Sequence, residues 1–292
     1  MQRLKRPWRS QAFLQASLGI SLATLIVVLF AIDLHQRYDA AIDRGKTDAQ
    51  NFAEILSEHT ALTFENVERS LLEAMEIRKD SLKGDYASPQ EVNAALHLLM
   101  KTSPIVVAVG WTDATGKLLA HSYERNPPRH SIAEMAHFKA HRDTASDRLY
   151  VSPPFRSADS GKWLIATSLR LSHEDGSFAG VVSAPLDRSN FAKIYRSINL
   201  GTEGSVLLMH TNGQVLAREP YLEELMGKSF AGVPLLTKHL PRSDAGSYEA
   251  IGVVDGRPRI AGYKAVRGLP LVQLVTYARA DVLQPWYRHV ML

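Results

Sequence analysis

The sequence contains no cysteine, and this absence narrows the chemistry that is open to the chain. Disulfide bonds, thiolate metal sites and a cysteine nucleophile are all excluded. A chain without cysteine suits oxidising and reducing surroundings equally, so the absence does not identify a compartment. The fold must therefore be held by packing and hydrogen bonds, and any site must be built from other side chains.

The sequence also lacks the short motifs of several common classes of protein. It has no Gly-x-Ser-x-Gly turn of a serine hydrolase, no Gly-x-x-x-x-Gly-Lys-Ser/Thr phosphate loop, no cyclase signature of the GGDEF type and no kinase ATP-binding motif. The net charge is a modest +4, without a basic stripe interleaved with aromatics, which argues against nucleic-acid binding. We expect no catalysis in this chain; an exported hydrolase stays open only if Ser, His and Asp side chains meet in one cleft.

A long apolar run near the N-terminus is the first positive feature. Residues 12–32 carry no charge, and such a run is long enough to cross the hydrocarbon core of a membrane as a helix. A cleaved signal peptide is the alternative, but its apolar core is usually shorter and is followed by small residues, which are missing here. Four basic residues precede the run: Arg3, Lys5, Arg6 and Arg9. The positive-inside rule then predicts a cytoplasmic segment 1–11, a span over 12–34 in the inner membrane, and a periplasmic or extracellular main domain.

Helical periodicity follows the span directly. Apolar residues recur at three- and four-residue steps through 36–80, which predicts one long helix. Ser88 and Pro89 are suited to the cap and the first residue of a second helix, which ends near Met100. Together these helices occupy 35–103. A helix that emerges from a span can transmit a displacement to it; the alternative is that it only packs on the next domain.

Two β-rich units with polar, Gly-containing turns come next, at 104–200 and 201–280. In the first, strands are predicted at 105–111, 117–120, 149–151, 163–171 and 178–182, and helices at 131–141 and from 187 or 188 to 198. Ser131 and Glu134 form a capping-box pattern for the first of these helices. In the second unit, strands are predicted near 205–209, 214–217, 247–254, 257–266 and 271–277. A faint repeat relates 109–120 to 208–217, so we predict an α+β fold with two modules, each with an antiparallel sheet.

The order of these elements resembles the double Cache, or tandem PAS-like, extracellular sensors of bacterial diguanylate cyclases and sensor histidine kinases. The resemblance covers about 35–280 and depends on the stretches 111–116, 137–143, 152–155, 175–182 and 201–204. It implies a signal-transduction input without a cofactor, acting as a homodimer and passing its signal through the membrane to a cytoplasmic output. Residues 281–292, which include the interfacial Trp286 and Tyr287, are expected to start a helix towards a second span, or else to form a plain C-terminal helix.

In such sensors the membrane-distal module usually holds the ligand. Carried over to this chain, the resemblance implies a set of ligand-binding residues: Trp111, His141, Arg142, Tyr150, Phe155, Arg156, Ser168 and Arg170. Four of these have other interpretations. Arg142 suits a helix C-terminus as a cation, Trp111 suits sheet packing, and the strand face of Ser168 and Arg170 is either cavity or solvent. The opposite face of that strand is predicted to be core: Trp163, Ile165, Thr167, Leu169 and Leu171.

The chemistry of the ligand is indicated by one position. Amino-acid-binding members of the family carry an Asp just after Gly-Val-Val, and here Gly180-Val-Val-Ser-Ala leads to Pro185 instead. Arg and His side chains can offer charge-assisted hydrogen bonds to a carboxylate or phosphate, so a small anionic ligand is expected. The alternative is a structural or protein-interaction module without a small ligand. His137 and His141 are spaced to chelate a metal, but no acidic residue accompanies them, and we expect no metal site.

Overall fold

A computed structural model describes residues 8–123, 131–158 and 160–291, and a single long helix is the axis of the molecule. This helix, α1 (Trp8–Lys83), has 76 residues and contains both the apolar run and the periodic segment after it. Among the described residues it is the one helix that is long and apolar enough to cross a membrane. The most apolar 18-residue segment of α1 has a mean hydropathy of 2.3, and the whole of this segment is exposed. The part of α1 beyond this segment packs against both modules.

Four shorter α-helices follow in the described part of the chain: α2 (Pro89–Lys101), α3 (Ala136–Asp143), α4 (Ser189–Tyr195) and α5 (Arg279–Val290). The prediction for α2 is confirmed, because the Ser88 hydroxyl accepts a hydrogen bond from the amide of Glu91 at 3.3 Å.

The predicted start of α3 is wrong. The Ser131 hydroxyl accepts from the amide of Ala133 at 3.2 Å and donates to the carbonyl of Thr115 at 2.9 Å. These bonds hold a turn against the preceding hairpin rather than a helix terminus, and α3 begins only at Ala136, without a side-chain cap. The capping-box pattern failed because Ser and Thr hydroxyls satisfy turns as readily as helix ends.

The first module contains an antiparallel sheet in the order β2-β1-β6-β5-β3, with β4 also on β5. Its strands are β1 (Gly110–Thr112), β2 (Leu118–His121), β3 (Tyr150–Val151), β4 (Phe155–Arg156), β5 (Trp163–Ser172) and β6 (Phe178–Asp187). The strand predicted over 105–111 is largely absent. Pro185 of β6 has no amide proton to donate, so the regular pairing with β1 does not pass Ser183, although the amide of Val107 still donates to the Pro185 carbonyl.

The second module contains a five-stranded antiparallel sheet in the order β8-β7-β11-β10-β9. Its strands are β7 (Ser205–His210), β8 (Val215–Glu219), β9 (Ala245–Ile251), β10 (Pro258–Ala265) and β11 (Leu271–Ala278). Helix α1 crosses this sheet in very close contact. A Cβ on Gly262 of β10 would lie 2.2 Å from the carbonyl carbon of Ala49, so only glycine allows the helix backbone to approach this strand.

The main core lies between α1 and one face of each sheet. Phe64 and Leu71 of α1 are fully buried there, and the ring of Phe64 stacks on Phe191 at 6.0 Å. Ile165 and Leu169 of β5 belong to this core, as predicted. Trp163 is the exception on that strand face, because it packs against the apolar cluster of the second module and so contributes to the contact between modules.

Candidate functional site

A cavity of about 150 Å³ opens on the side of the first sheet that faces away from α1. We call it the distal cavity. Its described lining consists of Ala108, Val109, Gly110, Leu118, Tyr123, Ile132, Met135, His137, Phe155, Arg156, Ser157, Ala158, Leu164, Ala166, Ser183 and Pro185. Strand alternation explains the floor, since Leu164 and Ala166 on β5 and Ser183 and Pro185 on β6 point to the same side. None of the described lining residues is Asp or Glu.

His137 is the buried polar group of this cavity. It lies in the first turn of α3, is 4% exposed, and has its ring 6.5 Å from that of Phe155. Burial, helped by the nearby His141, lowers the pKa of His137 to about 4, so the imidazole is neutral at physiological pH. Among the described residues it has no hydrogen-bond partner, so its ring nitrogens remain available to a ligand.

Arg156 stands at the mouth of the distal cavity. Its Nε donates to the carbonyl of Gly161 at 2.9 Å, and its Nη2 lies 3.6 Å from a carboxylate oxygen of Glu223 in the second module. The guanidinium is largely exposed, so this ion pair contributes little stability. Its position matters more, because one cation contacts both the cavity and the neighbouring module.

His141, Tyr150, Ser168 and Arg170 form a separate cluster beside the cavity. Nε2 of His141 lies 3.0 Å from the Ser168 hydroxyl and 3.1 Å from the Ser168 carbonyl, and the ring of Tyr150 meets the imidazole edge-on. Arg170 donates to the carbonyl of His141 and lies 4.9 Å from the centre of the Phe178 ring. The pKa of His141 is lowered, chiefly by burial. The cluster fastens α3 to the β5–β6 hairpin, and its members do not line the cavity.

The last two predicted residues lie elsewhere. Trp111 is buried in the core towards α1, on the opposite side of β1 from Gly110, which lines the cavity. Arg142 is exposed and pairs with Asp143 at 2.8 Å. Of the predicted set, only Phe155 and Arg156 therefore line the distal cavity. Sequence reasoning considered His137 only as a metal ligand, because the local pattern of α3 does not show which part of the helix covers the cavity.

No group of three or more potential metal ligands occurs in the described part of the chain. Within the pair considered from the sequence, Nε2 of His141 is already hydrogen-bonded to Ser168, whereas His137 faces the cavity. The two imidazoles therefore lie in different surroundings, one in the cavity and one against Ser168.

Comparison with known proteins gives consistent matches to sensor domains. The sequence profile of a double Cache family described as a histidine kinase sensor domain matches residues 188–276. The extracellular domain of a protein assigned as the histidine kinase rpHK1S-Z16 is 30% identical, with a TM-score of 0.71, over 82% of this chain and 97% of that domain.

Chemoreceptors are also similar to this chain. The ligand-binding domain of the Pseudomonas fluorescens chemoreceptor CtaA, in complex with L-isoleucine, has a TM-score of 0.60 at 17% identity, over 85% of this chain and 98% of that domain. CtaA has also been solved in complex with L-alanine. The methyl-accepting chemotaxis protein PctB of Pseudomonas aeruginosa is 25% identical over 88% of this chain, which spans 39% of that receptor's length.

Proposed function

Because this chain belongs to the double Cache family of extracellular ligand-binding sensor domains, we propose that its distal cavity binds a small carboxylate without an ammonium group. The observation that carries the proposal is the wall of the cavity. Arg156 supplies a cation at the mouth and Pro185 stands on the floor, with no carboxylate among the described lining residues. A buried ammonium without a counter-charge is costly, whereas a carboxylate can take charge-assisted bonds from Arg156.

The other polar groups of the cavity suit the body of such a ligand. His137 offers a neutral imidazole, and Ser157 and Ser183 bring hydroxyl groups into a lining that is otherwise mostly apolar. A concave site with a few convergent polar groups is typical of small-molecule pockets. This combination favours a sensor over the alternative of an interaction module without a small ligand.

Binding at Arg156 also gives a route for the signal. A carboxylate at the mouth competes with Glu223 for the same guanidinium, and Glu223 belongs to the second module. Occupancy of the distal cavity thereby changes a contact between the modules. Helix α1, which packs on both modules, carries the resulting displacement towards the membrane.

We place the chain in the inner membrane of a bacterium with residues 1–11 in the cytoplasm, because the basic residues precede the apolar run. The main domain is then periplasmic, and the output is a histidine kinase or a diguanylate cyclase. A homodimer is part of this proposal. Ile55, Leu62 and Leu72 are exposed along α1 and offer a second copy an apolar contact.

Calorimetric titration of the chain in lipid nanodiscs tests the proposal. L-lactate and L-alanine have the same carbon skeleton and differ in hydroxyl against ammonium. We expect lactate to bind, and alanine to bind at least about tenfold more weakly. Arg156→Gln should lower lactate affinity by about tenfold or more, while Arg142→Gln, which changes an exposed arginine outside the cavity, should not. Lactate binding that is indifferent to Arg156→Gln, or tighter binding of alanine, would overturn the assignment.

Pro185→Asp is the reciprocal test of ligand chemistry. It puts a carboxylate on the cavity floor, at the position where amino-acid sensors of the family carry one. We expect alanine to gain affinity and lactate to lose it through repulsion between carboxylates. An unchanged ratio of the two dissociation constants would mean that this position does not contact the ligand.

A further inference from the structure

A second cavity, of about 290 Å³, lies in the membrane-proximal module. We call it the proximal cavity. It occupies the face of the second sheet opposite α1, where Leu207, Ala261 and Leu274 form the floor. The segments 222–225, 230–235 and 251–255 supply its other walls, and its surface is mostly apolar. Its volume is about twice that of the distal cavity.

Arg218 projects from β8 into this apolar cavity and is only 8% exposed. Its Nη1 donates to the carbonyl of Pro220, but its Nε is buried without a hydrogen-bond partner. Among the residues that the structure describes, no carboxylate lies within ion-pair distance of it. Burial, followed by the neighbouring Arg259, lowers the pKa of the guanidinium, although Glu224, Asp255 and Glu219 act in the other direction. A buried cation without a paired anion is costly.

Arg259 is the second cation of the proximal cavity, and it is already engaged. It pairs with the carboxylate of Asp255 and donates to the carbonyl of Glu203 at 2.6 Å. Two guanidinium groups and one carboxylate leave the lining with a single net positive charge. The lining therefore lacks one negative charge, and the guanidinium without a paired carboxylate is that of Arg218.

We propose that the proximal cavity is a second ligand site, which binds a monocarboxylate with an alkyl chain. The carboxylate pairs with Arg218, where it satisfies the buried Nε, and the chain lies along Leu207, Phe230 and Leu274. The apolar lining selects for the alkyl chain, because burying it removes apolar surface from water. The single unpaired guanidinium selects for one carboxylate.

The position of this site gives it a connection to the last helix. The carbonyl of Glu203 accepts from Arg259, while the amide of Glu203 donates to Asp281 in the first turn of α5 at 3.1 Å. A carboxylate paired with Arg218 also attracts the neighbouring Arg259 and thereby acts on this link. The proximal ligand is therefore a second input to α5, separate from the distal ligand.

The test uses the chain in nanodiscs of zwitterionic lipid, with the heat measured for empty nanodiscs subtracted. Hexanoate, acetate and hexylammonium are the probes, because they separate the charge from the chain. We expect hexanoate to bind, and acetate and hexylammonium to bind at least about tenfold more weakly. Arg218→Met keeps an apolar side chain of similar length and should lower hexanoate affinity by about tenfold or more.

Two matched variants locate the site. Arg242→Met removes an exposed arginine of the same module and should leave hexanoate affinity unchanged. Because the distal cavity is itself proposed to take small carboxylates, the titration is repeated in Arg156→Gln, where hexanoate should still bind the proximal cavity with the same affinity. Ala250→Leu, on the wall of the proximal cavity, should weaken hexanoate binding and serves if Arg218→Met fails to fold. The proposal is overturned if hexanoate does not bind, if its binding survives both Arg218→Met and Ala250→Leu, or if it is lost in Arg156→Gln. None of these results bears on lactate binding at the distal cavity.

Discussion

At the scale of single residues, His137 links the distal cavity to pH. Its pKa falls from the ordinary 6.5 to about 4 because its imidazole is buried beside His141. Below pH 6.5 the unfolded chain takes up a proton at this position, while the folded chain stays neutral until about pH 4. The unfolded state therefore binds more protons in this window, and His137 makes the folded state less stable as the pH falls from 7 towards 4.

This linkage predicts a specific effect of removing the imidazole. Between pH 7 and pH 5 the free energy of unfolding of the native chain should fall by about 2 kcal/mol more than that of His137→Gln. Urea unfolding, followed by tryptophan fluorescence at both pH values, measures the difference. His173→Gln, at an exposed position in the β5–β6 turn, should behave like the native chain. Equal pH dependence in His137→Gln and the native chain would mean that His137 is not buried as the structure has it.

The candidate site shows how far single residues could be predicted. The family resemblance led to Phe155 and Arg156, which line the cavity. Strand alternation correctly put Ser168 on the side of the sheet that carries the cavity, but α3 covers that stretch, and His141 occupies the space in front of it. Period-two patterning identifies a face of a strand, but it does not identify what packs on the face.

At the scale of elements, one buried glutamine joins four segments that are distant in sequence. Gln273 of β11 is fully buried, and its Oε1 accepts from the hydroxyl of Tyr195 on α4 at 3.3 Å and from Thr60 on α1 at 3.5 Å. Its Nε2 donates to the carbonyl of Leu207 on β7 at 3.0 Å. Because α4 leads from the first module into the second, this network fixes both modules to α1.

Replacing Gln273 should lower the stability of the fold. Gln273→Leu removes three buried hydrogen bonds, to Tyr195, Thr60 and the carbonyl of Leu207, so the free energy of unfolding should fall by about 3 kcal/mol. Tyr195→Phe alone should cost about 1 kcal/mol. In the double variant the loss of stability should be smaller than the sum of the two single losses, because either single variant already removes the bond between Tyr195 and Gln273. Gln284→Leu, exposed on α5, is the control. Strictly additive costs would contradict the network.

Helices and strands could be predicted where an apolar periodicity extends over many residues, or where neighbouring residues form a cap. The period of α1 and the Ser88 cap of α2 follow directly from the sequence. The Gln273 network does not, because its partners lie as far as 213 residues away along the chain. Nothing in a local window distinguishes a buried glutamine that joins helices from one on a solvated strand.

At the scale of the whole molecule, α5 returns to α1 where α1 leaves the domain for its apolar segment. Trp286 donates from Nε1 to the carbonyl of Leu34 at 2.9 Å, and its ring meets that of Tyr38 edge-on at 5.5 Å. At its other end, α5 is held by Asp281, which accepts from the amides of Thr202 and Glu203. In the proposed signalling route, these contacts let a change in the second module reach α5 through Asp281 and move α5 against α1.

The two-module plan could be predicted from the sequence, whereas the contact between modules could not. Trp163 and Arg156 of the first module meet the second at its apolar cluster and at Glu223. The side chain of Arg188 lies 3.9 Å from the centre of the Tyr221 ring, where a cation and an aromatic face attract each other. None of these pairs has a sequence signature, because each depends on how the modules are placed around α1.

The most direct test of the central claim, that occupancy of the distal cavity is transmitted to the membrane end of the domain, is a distance between two spin labels. The chain has no cysteine, so Gln36→Cys on α1 and Gln284→Cys on α5, both at exposed positions, can be labelled selectively. Double electron–electron resonance measures the distance between the two labels in nanodiscs, with labelled chain diluted in unlabelled chain. This distance should shift by about 1–2 Å when lactate is added. Arg156→Gln at the same lactate concentration should show none. A distance distribution that is unchanged while calorimetry shows lactate bound would contradict the account.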